Sequence, residues 1–177
     1  MATAKTSSFI LSERVTVSAA ATPVTGTIDL GAYVDVADRQ AIAVESVDFI
    51  WQATTPASEV PAVLGANNGA FAQITDLNRG GVPVFADDRA LVASGQLYCD
   101  VGLNPTNSMD LYPDNYGPSS AQGARLVVND QMYFTCQANA IAAASALNVI
   151  ARITCKVVKL SNKDWMAIAI QSTAADN

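Results

Sequence analysis

Apolar and polar residues alternate along most of the chain, and the longest alternation lies between Ala146 and Leu160. Every second position there is apolar, namely Leu147, Val149, Ala151, Ile153, Cys155 and Val157. The positions between them are mostly polar and include Arg152 and Lys156. Because successive side chains of a β-strand point to opposite faces of a sheet, this period of two predicts a long strand with one buried face and one largely polar face.

Shorter stretches with the same period predict further strands at residues 14–18, 27–36, 41–52, 70–77, 82–85, 91–101, 126–137 and 165–170. Asn129 and Asp130 leave two alternatives for residues 126–137, which are one strand or two strands around a tight turn. Segments rich in Pro and Gly predict two long loops at residues 54–69 and 104–123, the first with a helical turn near residues 58–64. Seven to nine strands without a long helix predict an all-β protein, an antiparallel β-sandwich of jelly-roll type.

The parity of the apolar positions changes within the stretch of residues 41–52. Ile42 and Val44 share one parity, and Val47, Phe49 and Trp51 share the other. One inserted residue moves every following side chain to the opposite face of a sheet. The change therefore predicts a β-bulge near Glu45 and Ser46, or a strand that passes from one environment to another.

The segment Trp165–Ile170 is apolar at every position. A strand without a polar face is covered on both sides. We therefore expect a final strand that is either central in the sandwich or covered by another chain.

A chain of 177 residues is long enough for one domain with a substantial core. Residues 1–13 precede the first alternating stretch and predict a flexible N-terminal arm. Residues 14–177 then form a single β-sandwich domain.

The net charge is −6, with only ten Lys and Arg residues, so we expect no strong direct binding of nucleic acid. Four of the ten cations, Arg152, Lys156, Lys159 and Lys163, lie within twelve residues. The interpretation we favour is a solvated strand face whose charges discourage edge-to-edge pairing. The alternative is a basic stripe that docks on an acidic surface of a neighbouring subunit.

The residue types exclude several kinds of catalytic site. The chain contains no His, which removes the general base of a catalytic triad and the usual zinc ligand. Nucleotide-binding, nucleophile-elbow and zinc-protease motifs are absent from the sequence as well. Asp87, Asp88, Asp110 and Asp114 are turn-forming residues in our interpretation, with a calcium site as the alternative. We therefore expect no enzyme, no cofactor and no metal site.

The three cysteines lack metal or redox spacing. Cys136 and Cys155 lie at apolar positions of predicted strands, so we expect small buried hydrophobic side chains.

Large side chains in the second predicted loop indicate a contact surface. Tyr112 and Tyr116 lie there, and a loop with large apolar side chains packs on its own domain or on a partner. With Arg152 and Lys156 of the long strand and Trp165 of the final segment, they form our set of candidate subunit-contact residues.

Four stretches together resemble the strand layout of single jelly-roll viral capsid proteins: Thr27–Val34, Ala41–Trp51, Val149–Leu160 and Trp165–Ile170. The resemblance implies a virion protein that self-assembles into a closed, icosahedral homo-oligomeric shell, alone or with other capsid proteins.

One feature departs from that family. Its N-terminal arms are often strongly basic, whereas this arm carries only Lys5 and Arg14. If the chain forms a capsid, we expect the genome to be screened by a membrane, another protein or solution cations.

A second hypothesis is a carbohydrate-binding or adhesin module of a cell surface or fibre. Tyr112 and Tyr116 would then stack on sugar rings. We expect Trp51 and Trp165 to pack in the protein instead, because their strand neighbours are apolar.

Overall fold

The structure is a computed structural model that describes residues 3–55, 59–100, 102, 105–108 and 125–174, with the backbone alone at residues 105–108 and 171–174. Within these ranges the chain forms ten strands and two helices. The first sheet contains β1 (Thr3–Ala4), β2 (Phe9–Val17), β4 (Gln40–Ala53), β8 (Arg125–Val127) and β10 (Leu147–Lys159). The second sheet contains β3 (Val24–Asp29), β5 (Asn68–Thr75), β6 (Leu91–Cys99), β7 (Pro105–Ser108) and β9 (Gln131–Ala138). Helix α1 (Val60–Leu64) lies between β4 and β5, and helix α2 (Asn162–Ala174) follows β10.

The strands pair like a long antiparallel hairpin that has been rolled up, which is the topology of a jelly roll. With β1 and β7 set aside, the first strand pairs with the last, as β2 with β10, and the second with the seventh, as β3 with β9. The third pairs with the sixth, as β4 with β8, and the fourth with the fifth, as β5 with β6. The sheets therefore have the orders β2-β10-β4-β8 and β3-β9-β5-β6. The predicted antiparallel β-sandwich of jelly-roll type is confirmed.

Strand β10 lies between β2 and β4 and pairs with both of them over most of its length. Its apolar positions, Leu147, Val149, Ala151, Ile153, Cys155 and Val157, are all buried in the core between the two sheets, as predicted. The ring of Phe49 in β4 stacks on Phe134 in β9 with 5.9 Å between centroids, which joins the two layers. The alternation of β10 therefore sets the inner and outer faces of the first sheet.

The predicted β-bulge is present in β4. Thr154 of β10 lies opposite Ser46, and the next residue, Cys155, lies opposite Val44, so Glu45 is the inserted residue. The insertion reverses the parity of the strand, which keeps the apolar residues on both sides of the bulge directed at the same core.

Two other local predictions are confirmed. The helical turn in the first long loop is α1. Asn129 and Asp130 form a bend between β8 and β9, which resolves the two alternatives for residues 126–137 in favour of two strands.

The prediction of a final strand at residues 165–170 is wrong, because this segment lies within α2. The Ser161 hydroxyl accepts a hydrogen bond from the backbone N–H of Asp164 at 3.2 Å, which caps the start of the helix. Residues three and four apart in the segment then share a face, and one face packs on the first sheet. Neither described helix is long and apolar enough to cross a membrane.

The prediction of a flexible arm over residues 1–13 is wrong where the structure describes it. Residues 3–4 form β1, and residues 9–13 belong to β2, both paired with β10. The N–H of Lys5 donates to the Val157 carbonyl at 2.8 Å, and the Val157 N–H donates to the Thr6 hydroxyl at 3.0 Å. The described part of this segment therefore lies along one edge of the first sheet, where β1 and β2 pair with β10.

The carboxylate of Asp38 ties this edge strand to β10. The ammonium groups of Lys5 and Lys159 both bind it. The hydrogen bonds from Lys159 and then from Lys5 hold the pKa of the Asp38 carboxyl well below its ordinary value. Because all three side chains are solvent-accessible, we expect this anchor to weaken at high salt.

Two predicted strand segments are loops in the structure, namely residues 30–36 of the predicted strand 27–36 and residues 82–85. After β3 the chain turns, with the N–H groups of Tyr33 and Val34 both donating to the Leu30 carbonyl at 2.8 and 2.9 Å. Residues 82–85 belong to the connection between β5 and β6. The backbone of Val84 is bonded to the side chain of Gln73 instead of to a neighbouring strand.

We expect Ile153→Ala to lower the free energy of unfolding by about 2–5 kcal/mol, because it leaves a cavity in the core between the sheets. Ile150→Ala is the matched control, since Ile150 is on the same strand but only half-buried on the opposite face. Chemical denaturation of both variants measures the difference. Equal losses at the two positions would contradict the assignment of the faces.

We expect Asp38→Asn to speed amide hydrogen exchange in residues 3–8, measured by mass spectrometry. A depressed folded-state pKa contributes stability above the ordinary pKa of aspartate, and this contribution is lost only as the pH falls through the folded-state value. The wild-type segment should therefore stay protected at about pH 4. Asp48→Asn, an exposed change on β4, is the control and should leave the exchange unchanged.

Candidate subunit-contact surfaces

Three of the five candidate contact residues lie within the described part of the chain. Arg152 and Lys156 are on β10, and Trp165 is on α2. Tyr112 and Tyr116 lie outside the described residues, so their roles in subunit or sugar contacts stay predictions.

Two of the four cations of the predicted basic stripe, Lys156 and Lys159, pair with acidic side chains of the same chain. The Lys156 ammonium lies 3.2 Å from the carboxylate of Glu45, the bulge residue. Lys159 binds Asp38, and Arg152 lies opposite Asp48 in the register of β10 and β4. The arrangement favours an internally balanced strand face over a stripe directed at a neighbour. The predicted role of the charges in preventing edge-to-edge pairing is wrong, because β10 is paired on both sides.

The inner face of α2 covers one end of the first sheet. Trp165, Ile168 and Ala169 pack on a second apolar cluster that contains Ala41, Ala43, Val128, Val158 and Leu160. Alanines at two of these positions leave room for the helix on the sheet. The indole nitrogen of Trp165 is buried and has no hydrogen-bond partner among the described residues. Trp165 is thus a half-buried packing residue that holds α2 in place.

The outer face of α2 is apolar as well. Lys163, Met166, Ala167 and Ile170 are exposed, at a spacing that places them along one side of the helix. Met166 retains 58% and Ile170 retains 60% of its accessible surface. A helix with apolar residues on both sides is ordinarily covered on both sides. We call these four residues the outer face of α2, and it is the first candidate contact surface.

The second candidate surface is the tip of the loop formed by residues 76–90, the β5–β6 loop. Val82 is 65% exposed and Phe85 is 85% exposed, and Pro83 between them is exposed too. Burying an aromatic ring that lies mostly in water would release a large free energy. We call Val82, Pro83 and Phe85 the loop tip.

Side-chain hydrogen bonds fix the backbone of the loop tip. The amide of Gln73 in β5 bonds both polar groups of Val84: its Nε2 donates to the carbonyl at 2.8 Å, and its Oε1 accepts from the N–H at 2.9 Å. Arg79 and Asp88 close the loop through an ion pair of 2.9 Å. Gly80 and Gly81 adopt positive φ angles of 64° and 78°, which favour glycine. The loop tip is therefore preorganised.

The base of the loop is tied to β8 by a buried aspartate. The Arg125 guanidinium donates to the Asp76 carboxylate at 2.9 Å and also to the Arg89 carbonyl. The Asn129 amide donates to the Asp76 carbonyl at 2.6 Å. Burial raises the pKa of the Asp76 carboxyl, and the positive charge of Arg125 opposes this shift. Most polar groups at the base thus bond within the chain, although Asp76 Oδ1 and Arg125 Nε are buried without a hydrogen-bond partner among the described residues, whereas the tip projects apolar side chains.

The cysteines behave as predicted. Cys99, Cys136 and Cys155 are all free thiols and all buried. Burial, and secondarily the charge of Glu45, raises the pKa of the Cys155 thiol to about 12. Burial raises the pKa of the other two thiols as well. A neutral, buried thiol is a poor nucleophile at physiological pH.

The described residues contain no cluster of three or more Cys, Asp or Glu side chains arranged to hold a metal ion. The acids at positions 87 and 88 form turns, and Asp88 pairs with Arg79 and accepts from the N–H of Ala90 at 2.8 Å. This use agrees with their interpretation as turn residues. Asp110 and Asp114 lie outside the described residues.

Sequence reasoning missed both contact surfaces. The alternation over residues 82–85 suggested a strand, although Pro83 within the run and Gly80–Gly81 before it are signals of a loop. The pattern Ser161-Asn-Lys-Asp164 before an apolar run is a capping box, which indicates the start of a helix.

No protein-family model matches the chain, and no curated protein matches it in sequence. The jelly-roll order of the strands and the two exposed apolar surfaces are therefore the features on which a functional proposal rests.

Proposed function

We propose that the protein is a structural subunit that assembles with copies of itself into a viral capsid shell. The jelly roll is an architecture that viral capsid domains use widely, although lectins and enzymes use it too. The fold alone therefore does not distinguish a shell subunit from a binding module. The exposed apolar surfaces favour the shell.

The exposure of the apolar outer face of α2 is the main observation that supports the proposal. Burying the exposed parts of Met166 and Ile170 would contribute about 1–2 kcal/mol each. A chain that works alone gains nothing from leaving two large apolar side chains in water on one side of a helix. A subunit that is covered by a neighbour gains this burial energy at every repeat of the contact.

Other exposed apolar residues are more scattered. Ile10, Val36 and Tyr98 lie on three different elements of the described chain. Tyr33 is partly covered, because its ring stacks on Phe9 with 5.1 Å between centroids. Single exposed apolar residues are ordinary in soluble proteins. The α2 face and the loop tip differ because each groups large apolar side chains within a few residues.

We expect the purified chain to form large particles that light scattering and electron microscopy detect. Met166→Glu with Ile170→Glu should prevent assembly, because charged side chains on the outer face of α2 oppose burial. Ser12→Glu with Gln52→Glu is the matched control, since it adds the same charge at exposed polar positions of the first sheet. Circular dichroism checks that each variant is folded. A wild-type chain that stays monomeric at high concentration would remove the proposal.

The shell would not package its genome through the N-terminal segment. The net charge is −6, and Lys5 is bound to Asp38 within the chain. We expect the isolated chain to give no mobility shift with DNA at physiological salt. Measurable affinity under these conditions would show that the genome contacts the subunit directly.

A further inference from the structure

We propose that the loop tip of one copy binds the outer face of α2 of a second copy. The inference rests on the proposed self-assembly and names the two surfaces that would meet. In this contact the exposed ring of Phe85 would pack on Ala167, between the side chains of Met166, Ile170 and Lys163. We call this part of the outer face the seat.

The loop tip has the properties of an anchor. Phe85 keeps 85% of its surface in water, and its neighbour Val84 is held by both polar groups of the Gln73 amide. Because the backbone is already fixed, binding would lose little conformational entropy there. Rigid aromatic side chains at the centre of an interface commonly supply much of its binding energy.

The outer face of α2 has the chemistry of a seat for an aromatic ring. Ala167 is small, and Met166, Ile170 and Lys163 surround it at helical spacing. The short side chain of Ala167 leaves room for a ring between the three longer ones. A methionine thioether makes favourable contacts with aromatic rings, and a lysine ammonium is attracted to the face of a ring.

Charge supports the same pairing. Asp87 is exposed two residues after Phe85, and Lys163 is exposed at the start of the outer face of α2. A ring seated on Ala167 would bring the Asp87 carboxylate toward the Lys163 ammonium. Such pairs at the rim of an interface contribute mainly to orientation and association rate. Arg89, which is also exposed, lies beyond Asp87 toward the base of the loop.

The two surfaces belong to different parts of the same chain. The loop joins two strands of the second sheet, whereas α2 packs on the first sheet. Both stay exposed in the single chain, so neither covers the other. Every copy therefore offers one tip and one seat. Contacts between unlike surfaces are head-to-tail, and they close into rings when the rotation between copies fits.

Cross-linking tests the pairing directly. One batch of chain carries Ala86→Cys beside the tip, and another carries Asn162→Cys at the start of α2, next to the seat but outside the four residues that form it, both at exposed positions. The natural cysteines are buried and should not react. A short bismaleimide added to the mixed batches should join one chain of each type. Each batch alone should give little dimer.

Phe85→Ala in the Ala86→Cys chain should weaken association about 30-fold, the effect of losing an interface hot spot, and should remove the mixed dimer. Val36→Ala in the same chain is the control, since Val36 is exposed on another loop and its loss should leave the mixed dimer intact.

Light scattering on the same samples separates the possible failures. Particles that form without the mixed dimer, or dimers that join two tips, would overturn this pairing and leave self-assembly standing. A chain that forms no particles would overturn both.

Discussion

The pairing of β10 with β2 on one side and with β4 on the other is the constraint on which the rest of the structure depends. It brings the start of the chain and its end into one sheet, from Val17 opposite Leu147 to Phe9 opposite Cys155. Contacts between such distant residues close a long loop, which costs conformational entropy before the contacts repay it. The burial of one complete face of β10 compensates for this entropy cost.

The bulge at Glu45 makes this pairing compatible with the composition of β4. Without the extra residue, Ile42 and Val44 would face the core and Val47 would face solvent, or the reverse. The inserted Glu45 also gains two partners on the outer surface, Lys156 at 3.2 Å and the Ser8 hydroxyl at 2.8 Å. One irregular residue thus corrects the register, pairs a cation of β10 and contacts the N-terminal segment.

Strand β10 also positions α2, the first of the two surfaces that we connect with assembly. Where β10 ends, Val158 and Leu160 lie in an apolar cluster on the outside of the first sheet, together with the small side chains Ala41 and Ala43. A helix covers this cluster with Trp165 and its neighbours, and its other face is left in water. Where β5 passes into β6 in the second sheet, the Gln73 amide satisfies the backbone of Val84, and Phe85 is left exposed. Both surfaces are thus formed by segments that follow the end of a strand, α2 after β10 and the β5–β6 loop after β5.

The sequence by itself determined the sandwich, because a period of two in burial is a local property that alternation records directly. The buried face of β10 and the burial of Cys136 and Cys155 follow from it. The bulge at Glu45 and the bend at Asn129 were each one of two alternatives, and the structure decided between them. Only the tertiary structure decided the conformation of residues 3–13, and it decided between conflicting local signals at residues 165–170 and 82–85. A short apolar run fits a helix and a strand equally well, so packing on Ala41 and Ala43 and the cap at Ser161 decide for the helix. The loop tip depends on a bond to Gln73, and the N-terminal strand depends on Asp38 and Val157, partners that are distant in sequence and that no local pattern contains.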